Sequence, residues 1–408
     1  MKRAILIVLD GCGAGEAPDS PAFGDDDHPA TVKHVWEAVG GFSAPNLAAC
    51  GFLAACGIAS SPPSPPSPPS PPSPPSPPSP LSPPSPPSPP SSTWGRLREL
   101  SQGKDSVTGH WEMMGVVTEK AFPTYPNGFP IHLVKQFEQR IGTQTIGNKP
   151  ASGTEIIQEL GPTHVETGFP ILYTSADSVF QLACHEEIVP VERLYEWCRM
   201  AREICVAPDN VQRVIARPFL GDKASGFTRT GRRKDFPAPA PPNLIDEIGD
   251  VYGIGVVPEL FDHRGFRPVP RTQNNAEHIQ ALLAALESDA RFIFANFEDF
   301  DMLYGHRNDP AGFARALETF DGYLGSILAR LGSDDLLLLG ADHGNDPTSQ
   351  STDHSREYVP ICVIGQSVSA GPMGDVDGMT AIGATVACHL GIGWSIGTCL
   401  TAEGITQE

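Results

Sequence analysis

The sequence predicts an α/β protein built around a central, mostly parallel sheet. Three apolar runs each end at an acidic residue, an amphipathic helix lies between the second and third runs, and no hairpin turn joins them. The first run, "AILIVL" (4–9), stops at Asp10; the second, "FIFANF" (292–297), leads into "EDFD" ending at Asp301; the third, "LLLLGA" (336–341), stops at Asp342. Strands covered on both faces read as unbroken apolar runs of this kind. Between the second and third, Phe313, Leu317, Phe320, Leu324, Ile327 and Leu331 recur at spacings of three and four, the inward stripe of a helix. Strand, helix and strand in that order make a right-handed crossover. Open parallel sheets place ligands at the carboxyl ends of their strands. Asp10, Asp301 and Asp342 are therefore expected to meet on one edge of one sheet.

Length and charge narrow the function. A chain of 408 residues can bury a full core and divide into two or three domains, at roughly 150 residues each. With 48 acidic against 28 basic residues the formal charge is −20, which argues against a nucleic-acid partner, since such proteins recruit phosphates through Lys and Arg clusters. The apolar run after Lys2 and Arg3 is too short for a signal peptide or membrane span. Nine cysteines without framework spacing fit free thiols in a reducing compartment, so a cytoplasmic protein without a membrane partner is expected.

Residues 61–90 have a different composition. They are ten triplets, nine "SPP" and one "SPL", and hold 19 of the 43 prolines. Such a tract has no apolar face and few backbone donors. A disordered, extended polyproline II insert of up to about 93 Å is expected, at roughly 3.1 Å per residue. It reads either as a tolerated loop expansion or as a ligand for an SH3- or WW-like groove with an unknown partner. The exit through "SSTWGRLREL" leaves a dozen residues of slack, 91–102, before the next motif.

Histidines stand beside two of the strand-end acids. "DFDMLYGHR" supplies Asp301 and His306, and "GADHGNDPTSQSTDHSREYVP" supplies Asp342, His343 and His354. Mixed carboxylate and imidazole ligands suit Mn²⁺ or Zn²⁺. Three carboxylates and one deprotonated serine oxygen carry four negative charges, which two divalent ions would neutralise, and such a pair can clamp a phosphate. In "GKDSVTGHW" (103–111), Ser106 then becomes the nucleophile, at the start of a helix expected to aim its first N–H groups at the incoming phosphate.

Seven stretches carry a resemblance. "VLDGCGAGEAPD", "GKDSVTGHWEMMG", "NKPASGTEII", "YTSADSVFQ", "ARPF", "FEDFDMLYGHR" and "ADHGNDP" followed by "STDHSREYVP" resemble, in order and spacing, the motifs of bacterial phosphopentomutases, members of the alkaline phosphatase superfamily. The resemblance implies an alkaline phosphatase-like core in two parts, residues 1–121 and 237–408, interrupted by an α+β cap at 122–236. It implies two Mn²⁺ per chain, one on Asp301, His306 and His354 and the other on Asp10, Asp342 and His343. The implied reaction interconverts ribose 1-phosphate and ribose 5-phosphate, and the deoxyribose equivalents. It runs through a phosphorylated Ser106 and a sugar bisphosphate that also serves as activator.

In the cap, Arg217 of "ARPF", Ser152 and Thr154 of "ASGT", and Arg233 of "TGRRKDF" are the implied substrate-binding residues. The family usually has threonine where this chain has Ser106, and Val256 stands where a phosphate-contacting lysine is expected. A metal-dependent phosphatase or phosphoglycerate mutase would share the metals. A scaffold using the proline tract with a vestigial enzyme domain is the reading from another class.

Overall fold

The computed structural model describes residues 2–25, 27–59, 91–175 and 178–401. The Ser-Pro-Pro tract at 61–90 lies outside the described residues. The chain divides into two compact units, Met1–Glu119 with Pro241–Glu408, and Lys120–Ala240. Among the described residues, no helix is long and apolar enough to cross a membrane.

The first unit is built on a seven-stranded sheet. Its strands are β1 (Arg3–Leu9), β2 (Ser91–Arg98), β3 (Tyr252–Ile254), β4 (Phe292–Phe297), β5 (Asp335–Gly340), β6 (Val359–Gly365) and β7 (Gly371–Asp377). They lie in the order β7, β2, β6, β5, β1, β4, β3. The β1–β4, β1–β5, β3–β4 and β2–β7 pairs are parallel, while β6 runs antiparallel to both its neighbours. One strand therefore opposes the other six, and the sheet is largely parallel as the sequence predicts. The three acid-terminated runs are the adjacent strands β5, β1 and β4, with Ala4 opposite both Phe292 and Leu336. Every residue from Ala4 to Leu9 is fully buried, because helices cover both faces of a sheet made this way.

The helix Pro310–Leu328 occupies the predicted stretch and buries Phe313, Leu317, Phe320, Leu324 and Ile327. Leu331 departs from the expected stripe: it lies beyond the helix end and is only half-buried. There the chain turns into β5, with the Gly332 N–H donating to Asp335 Oδ2 at 2.8 Å.

The expected slack in "SSTWGRLREL" is overturned. Its first eight residues are β2, hydrogen-bonded to β6 on one side and β7 on the other. The strand shows no apolar run because its side chains are mostly half-buried, and Gly95 is required where a Cβ would lie 2.1 Å from the Gly374 carbonyl oxygen. β2 runs in the direction of β5, so Ser91 stands at the edge opposite the strand ends that carry the acids. Eight residues of strand, roughly 26 Å at 3.3 Å each, separate those two edges.

The second unit carries a sheet of strands 146–150, 171–174, 179–185, 213–222 and 226–229, in that order, with 234–237 paired onto 213–222. Helices Ile131–Ile141 and Val191–Ile204 cover a core around Phe129, Phe137, Phe180 and Trp197. Helix Gly153–Thr167 packs with Tyr173, Phe219 and Phe227 in a second cluster.

Candidate metal centre and nucleophile

Asp10 follows directly on β1, Asp342 lies two residues beyond β5, and Asp301 sits one turn past β4 in the π-helical segment Phe300–Tyr304. Two clusters result. Asp301, His306 and His354 form one and Asp10, Asp342 and His343 the other, the potential ligand atoms of each lying within 4.8 Å of one another. Gly109 lets the helix Ser106–Met113 reach this edge, because a Cβ there would lie 2.5 Å from the Asp342 carbonyl oxygen.

All three histidines are oriented in the same way. Their Nδ1 atoms face backbone carbonyl oxygens: His306 that of Thr352 at 2.6 Å, His354 that of Lys104 at 3.0 Å, and His343 that of Gly344 at 3.1 Å. A carbonyl only accepts, so each Nδ1 is assigned the proton and each Nε2 is left to face inward. His306 Nε2 is 3.2 Å from Asp301 Oδ2, His354 Nε2 is 3.3 Å from Asp301 Oδ1, and the two Nε2 atoms are 3.1 Å apart. In the other cluster His343 Nε2 is 3.4 Å from Asp10 Oδ1 and 3.3 Å from Asp342 Oδ2.

Among the described residues, Asp10 Oδ1 and Asp342 Oδ2 are buried without a hydrogen-bond partner, and Asn296 Nδ2 donates to the other Asp10 oxygen, Oδ2, at 2.6 Å. Inward-facing nitrogens beside orphaned carboxylate oxygens fit a divalent cation, since a buried anion needs a partner and these donors already lack one.

The local charge is unevenly shared. Burial, then the carboxylates of Asp342 and Asp301, raise the pKa of Asp10 well above its ordinary value. Burial would raise Asp301 too, but His354 and His306 outweigh it and hold Asp301 well below the usual range. Burial lowers His354 less than Asp301 raises it, to about 9, whereas burial dominates at His343 and lowers it. Against the effect of burial, His343 and His110 hold Asp342 at about 2.

Ser106 opens its helix with Oγ 3.1 Å from His343 Nε2. The expectation that the first helical N–H groups face the phosphate is corrected for two of them. Val107 and Thr108 donate to Asp105 Oδ1 at 2.9 and 3.2 Å, because Asp105 is the N-cap. Thr108 is fully buried with Oγ1 3.1 Å from both the Asp105 carbonyl and Oδ2, so it is part of that cap. Val256 is half-buried and its N–H donates to Glu298 Oε2 at 3.1 Å.

Sequence reasoning overlooked three residues around this edge. Asn345 Nδ2 donates to Asp301 Oδ1 at 2.6 Å. Arg356 is 1% exposed and donates to the carbonyls of Glu99, Ser101 and Gly103, the loop leading to Ser106. His110 Nδ1 lies 2.8 Å from the Ser106 carbonyl and 3.4 Å from Asp342 Oδ2. Each sits inside a quoted motif but looks like an ordinary polar residue until the fold closes.

The second unit gathers the remaining candidates. Ser152 caps helix Gly153–Thr167, its Oγ 2.9 Å from Thr154 Oγ1, and both residues are exposed. Arg217, half-buried on strand 213–222, donates Nε to Gln181 Oε1 at 3.0 Å, and burial together with Arg233 lowers its pKa. Arg233 is exposed and forms two bonds to Asp235 at 2.7 and 2.6 Å. Arg229 and Tyr173, not singled out from the sequence, belong to the same neighbourhood: a Cβ on Gly153 would be 2.7 Å from Tyr173 Oη and 3.4 Å from Arg229 Nη1. Among the described residues the buried Tyr173 hydroxyl has no hydrogen-bond partner, and three arginines, 217, 229 and 233, act on it electrostatically.

Residues 263–393, which include five of the six cluster residues, match the family model described as the Metalloenzyme superfamily. The phosphopentomutase of Acetivibrio thermocellus is 45% identical over 399 residues, 96% of each chain. That of Dictyoglomus turgidum is 47% identical over 369 residues, 89% of this chain and 87% of its own. Among solved structures, the PH0037 protein of Pyrococcus horikoshii aligns over 97% of this chain and 98% of its own, with a TM-score of 0.49 and 15% identity. Identity of this level along nearly the whole length, joined to a strand-end edge carrying two acid–histidine clusters and a capped serine, means that the chain belongs to the phosphopentomutase family.

Proposed function

We propose that the chain interconverts ribose 1-phosphate and ribose 5-phosphate, and the deoxyribose equivalents, by way of a phosphorylated Ser106. The observation that carries this reading is the position of Ser106 Oγ, 3.1 Å from His343 Nε2, on the edge that also bears both clusters. Asp301, His306 and His354 would hold one Mn²⁺, and Asp10, Asp342 and His343 the other. Two divalent ions, when bound, would lower the proton affinity of the serine and offset the charge of an incoming phosphate.

Phosphorylated Ser106 passes its phosphoryl group to the free hydroxyl of the pentose monophosphate, giving a bisphosphate and a free serine oxygen. That oxygen then takes the other phosphoryl group. One sugar hydroxyl loses its proton in the first transfer and the other regains one in the second, so the net reaction is an isomerisation. A bisphosphate activator restores the phosphoserine whenever it is lost. Residues 122–236 would serve as the cap, with Arg217, Arg233, Ser152 and Thr154 on the non-reacting phosphate, where basic and N–H donors suit a dianion.

The test is a coupled assay of chelated protein with ribose 5-phosphate, Mn²⁺ and a sugar bisphosphate primer. Formation of ribose 1-phosphate that depends on both additions supports the proposal; release of inorganic phosphate without isomerisation would replace it with a phosphatase.

A further inference from the structure

We infer that Asn345 is a positioning residue that holds Asp301 for the cation, an inference that rests on the two-ion reading above. Asn345 is 1% exposed, and its Nδ2 donates to Asp301 Oδ1 at 2.6 Å. The same Nδ2 is 3.3 Å from His306 Nδ1. That second contact is not a hydrogen bond, because His306 Nδ1 already donates to the Thr352 carbonyl at 2.6 Å and two donors repel. The amide orientation follows: the opposite flip would set the Asn345 carbonyl oxygen against the Asp301 carboxylate. Among the described residues, no other side-chain amide donates to Asp301.

The asparagine is itself fixed. Its backbone N–H lies 3.0 Å from the Gly11 carbonyl and 3.1 Å from Thr31 Oγ1. Thr31 Oγ1 donates in turn to Glu357 Oε1 at 2.6 Å, and that carboxylate also accepts from the N–H groups of Thr31 and Gly15 and from Ser355 Oγ. Gly305, next to His306, makes room for the amide, since a Cβ there would lie 2.6 Å from Asn345 Cγ. The amide thus packs against the continuous segment, 300–307, that supplies both Asp301 and His306. It restrains one Asp301 oxygen and leaves Oδ2 facing His306 Nε2. A ligand held by such a partner keeps its orientation before the cation arrives. Loss of partners of this kind typically weakens metal affinity 10- to 100-fold.

The experiment is a calorimetric titration of chelated protein with Mn²⁺, comparing wild type, Asn345→Leu, Asp301→Asn and the double variant. The expected result is two ions in the wild type, one of them weakened roughly 10- to 100-fold in Asn345→Leu, and no further weakening when Asn345→Leu is added to Asp301→Asn. Unchanged affinities in Asn345→Leu, or weakening that adds fully in the double variant, overturn the inference. Asn345→Ser, which removes the donor with less bulk, replaces the leucine variant if circular dichroism shows that one to be unfolded. A wild type holding a single ion overturns the two-ion reading instead; the inference then stands or falls on whether that one ion is weakened in Asn345→Leu.

Discussion

Replacing Arg356 by methionine tests how the loop leading to Ser106 is held. The guanidinium is 1% exposed and pairs with Glu99 Oε2 at 2.8 Å and Asp19 Oδ2 at 2.9 Å. It also donates to the Ser101 and Gly103 carbonyls at 2.8 and 2.6 Å, which makes it the tie between the loop at 99–103 and the segment carrying His354. Methionine fills most of the volume but supplies no donor. It leaves Glu99, itself 3% exposed, as a buried carboxylate without its cation, and at least two carbonyls without partners. Breaking a buried pair from one side costs about 3–5 kcal/mol. Burial, acting against Arg356, already raises the Glu99 pKa well above its ordinary value, so the stranded carboxyl can take a proton and the lower half of that range is expected. Urea unfolding of chelated protein, followed by tryptophan fluorescence, measures the loss. Adding Glu99→Gln removes the stranded acid and should return about 1–3 kcal/mol of it. A cost for Arg356→Met of less than about 1 kcal/mol, or a further loss on adding Glu99→Gln, would refute the reasoning.

Ser106→Ala should abolish isomerisation by several orders of magnitude while Thr108→Ala retains a measurable fraction, and mass spectrometry after bisphosphate treatment should place one phosphoryl group on Ser106; a Thr108 phosphopeptide would contradict this. Chelation should remove activity and Mn²⁺ restore it with about two ions per chain, Asp301→Asn lowering the occupancy of one; full activity of chelated protein would disprove the metal requirement. Cutting residues 61–90 to a short Gly-Ser loop should leave turnover and melting temperature nearly unchanged, because Ser91 enters the sheet at the edge opposite the clusters; a melting point lowered by many degrees would mean the tract packs. Burial raises the Glu357 pKa from 4.5 to about 7, so its contribution to stability is fully present below pH 4.5 and is lost as pH rises through 7. The stability difference between wild type and Glu357→Gln should accordingly shrink by roughly 3 kcal/mol across that window, and a constant difference in melts at pH 5 and pH 8 would rule this out.

The parts of the fold that could be read from the sequence are those where one local pattern suffices. β1, β4 and β5 are covered on both faces, so their burial is written as continuous apolar residues, and the acids after them mark the strand ends. β2 and β7 carry no such mark. β7 is the edge strand "GPMGDVD", largely open to solvent, and β2 beside it buries mainly Gly95 and Leu97. β2 is placed by its register with β6 and β7 by its register with β2, which no window of a dozen residues contains. The same holds within the site. Asp10, Asp301 and Asp342 follow from strand ends, but Asn345 meets Asp301 across 44 residues and Thr31 meets Glu357 across 326. The helix-capping role of Asp105 is visible in "DSVT" as a local motif, yet which hydroxyl it consumes emerges only from the buried side of the helix, where Thr108 points.

The orientation of His354 ties the two halves of the chemistry together. Its Nδ1 is held by the carbonyl of Lys104, one residue before the Asp105 cap and two before Ser106. The Lys104 side chain is paired with Asp25 at 2.9 Å, and the other Asp25 oxygen accepts the N–H of Arg356 at 2.7 Å, two residues past His354. The backbone stretch that sets the height of the serine therefore also sets the direction in which His354 Nε2 faces. A displacement of that stretch would move Ser106 and His354, the proposed nucleophile and metal ligand, together. Lys104→Met keeps the carbonyl but loses the anchor to Asp25, and so loosens the stretch that both share. The Ser106 side chain lacks the methyl group that would restrict a threonine rotamer, while the loop before it is held through Asp105, Lys104 and Arg356.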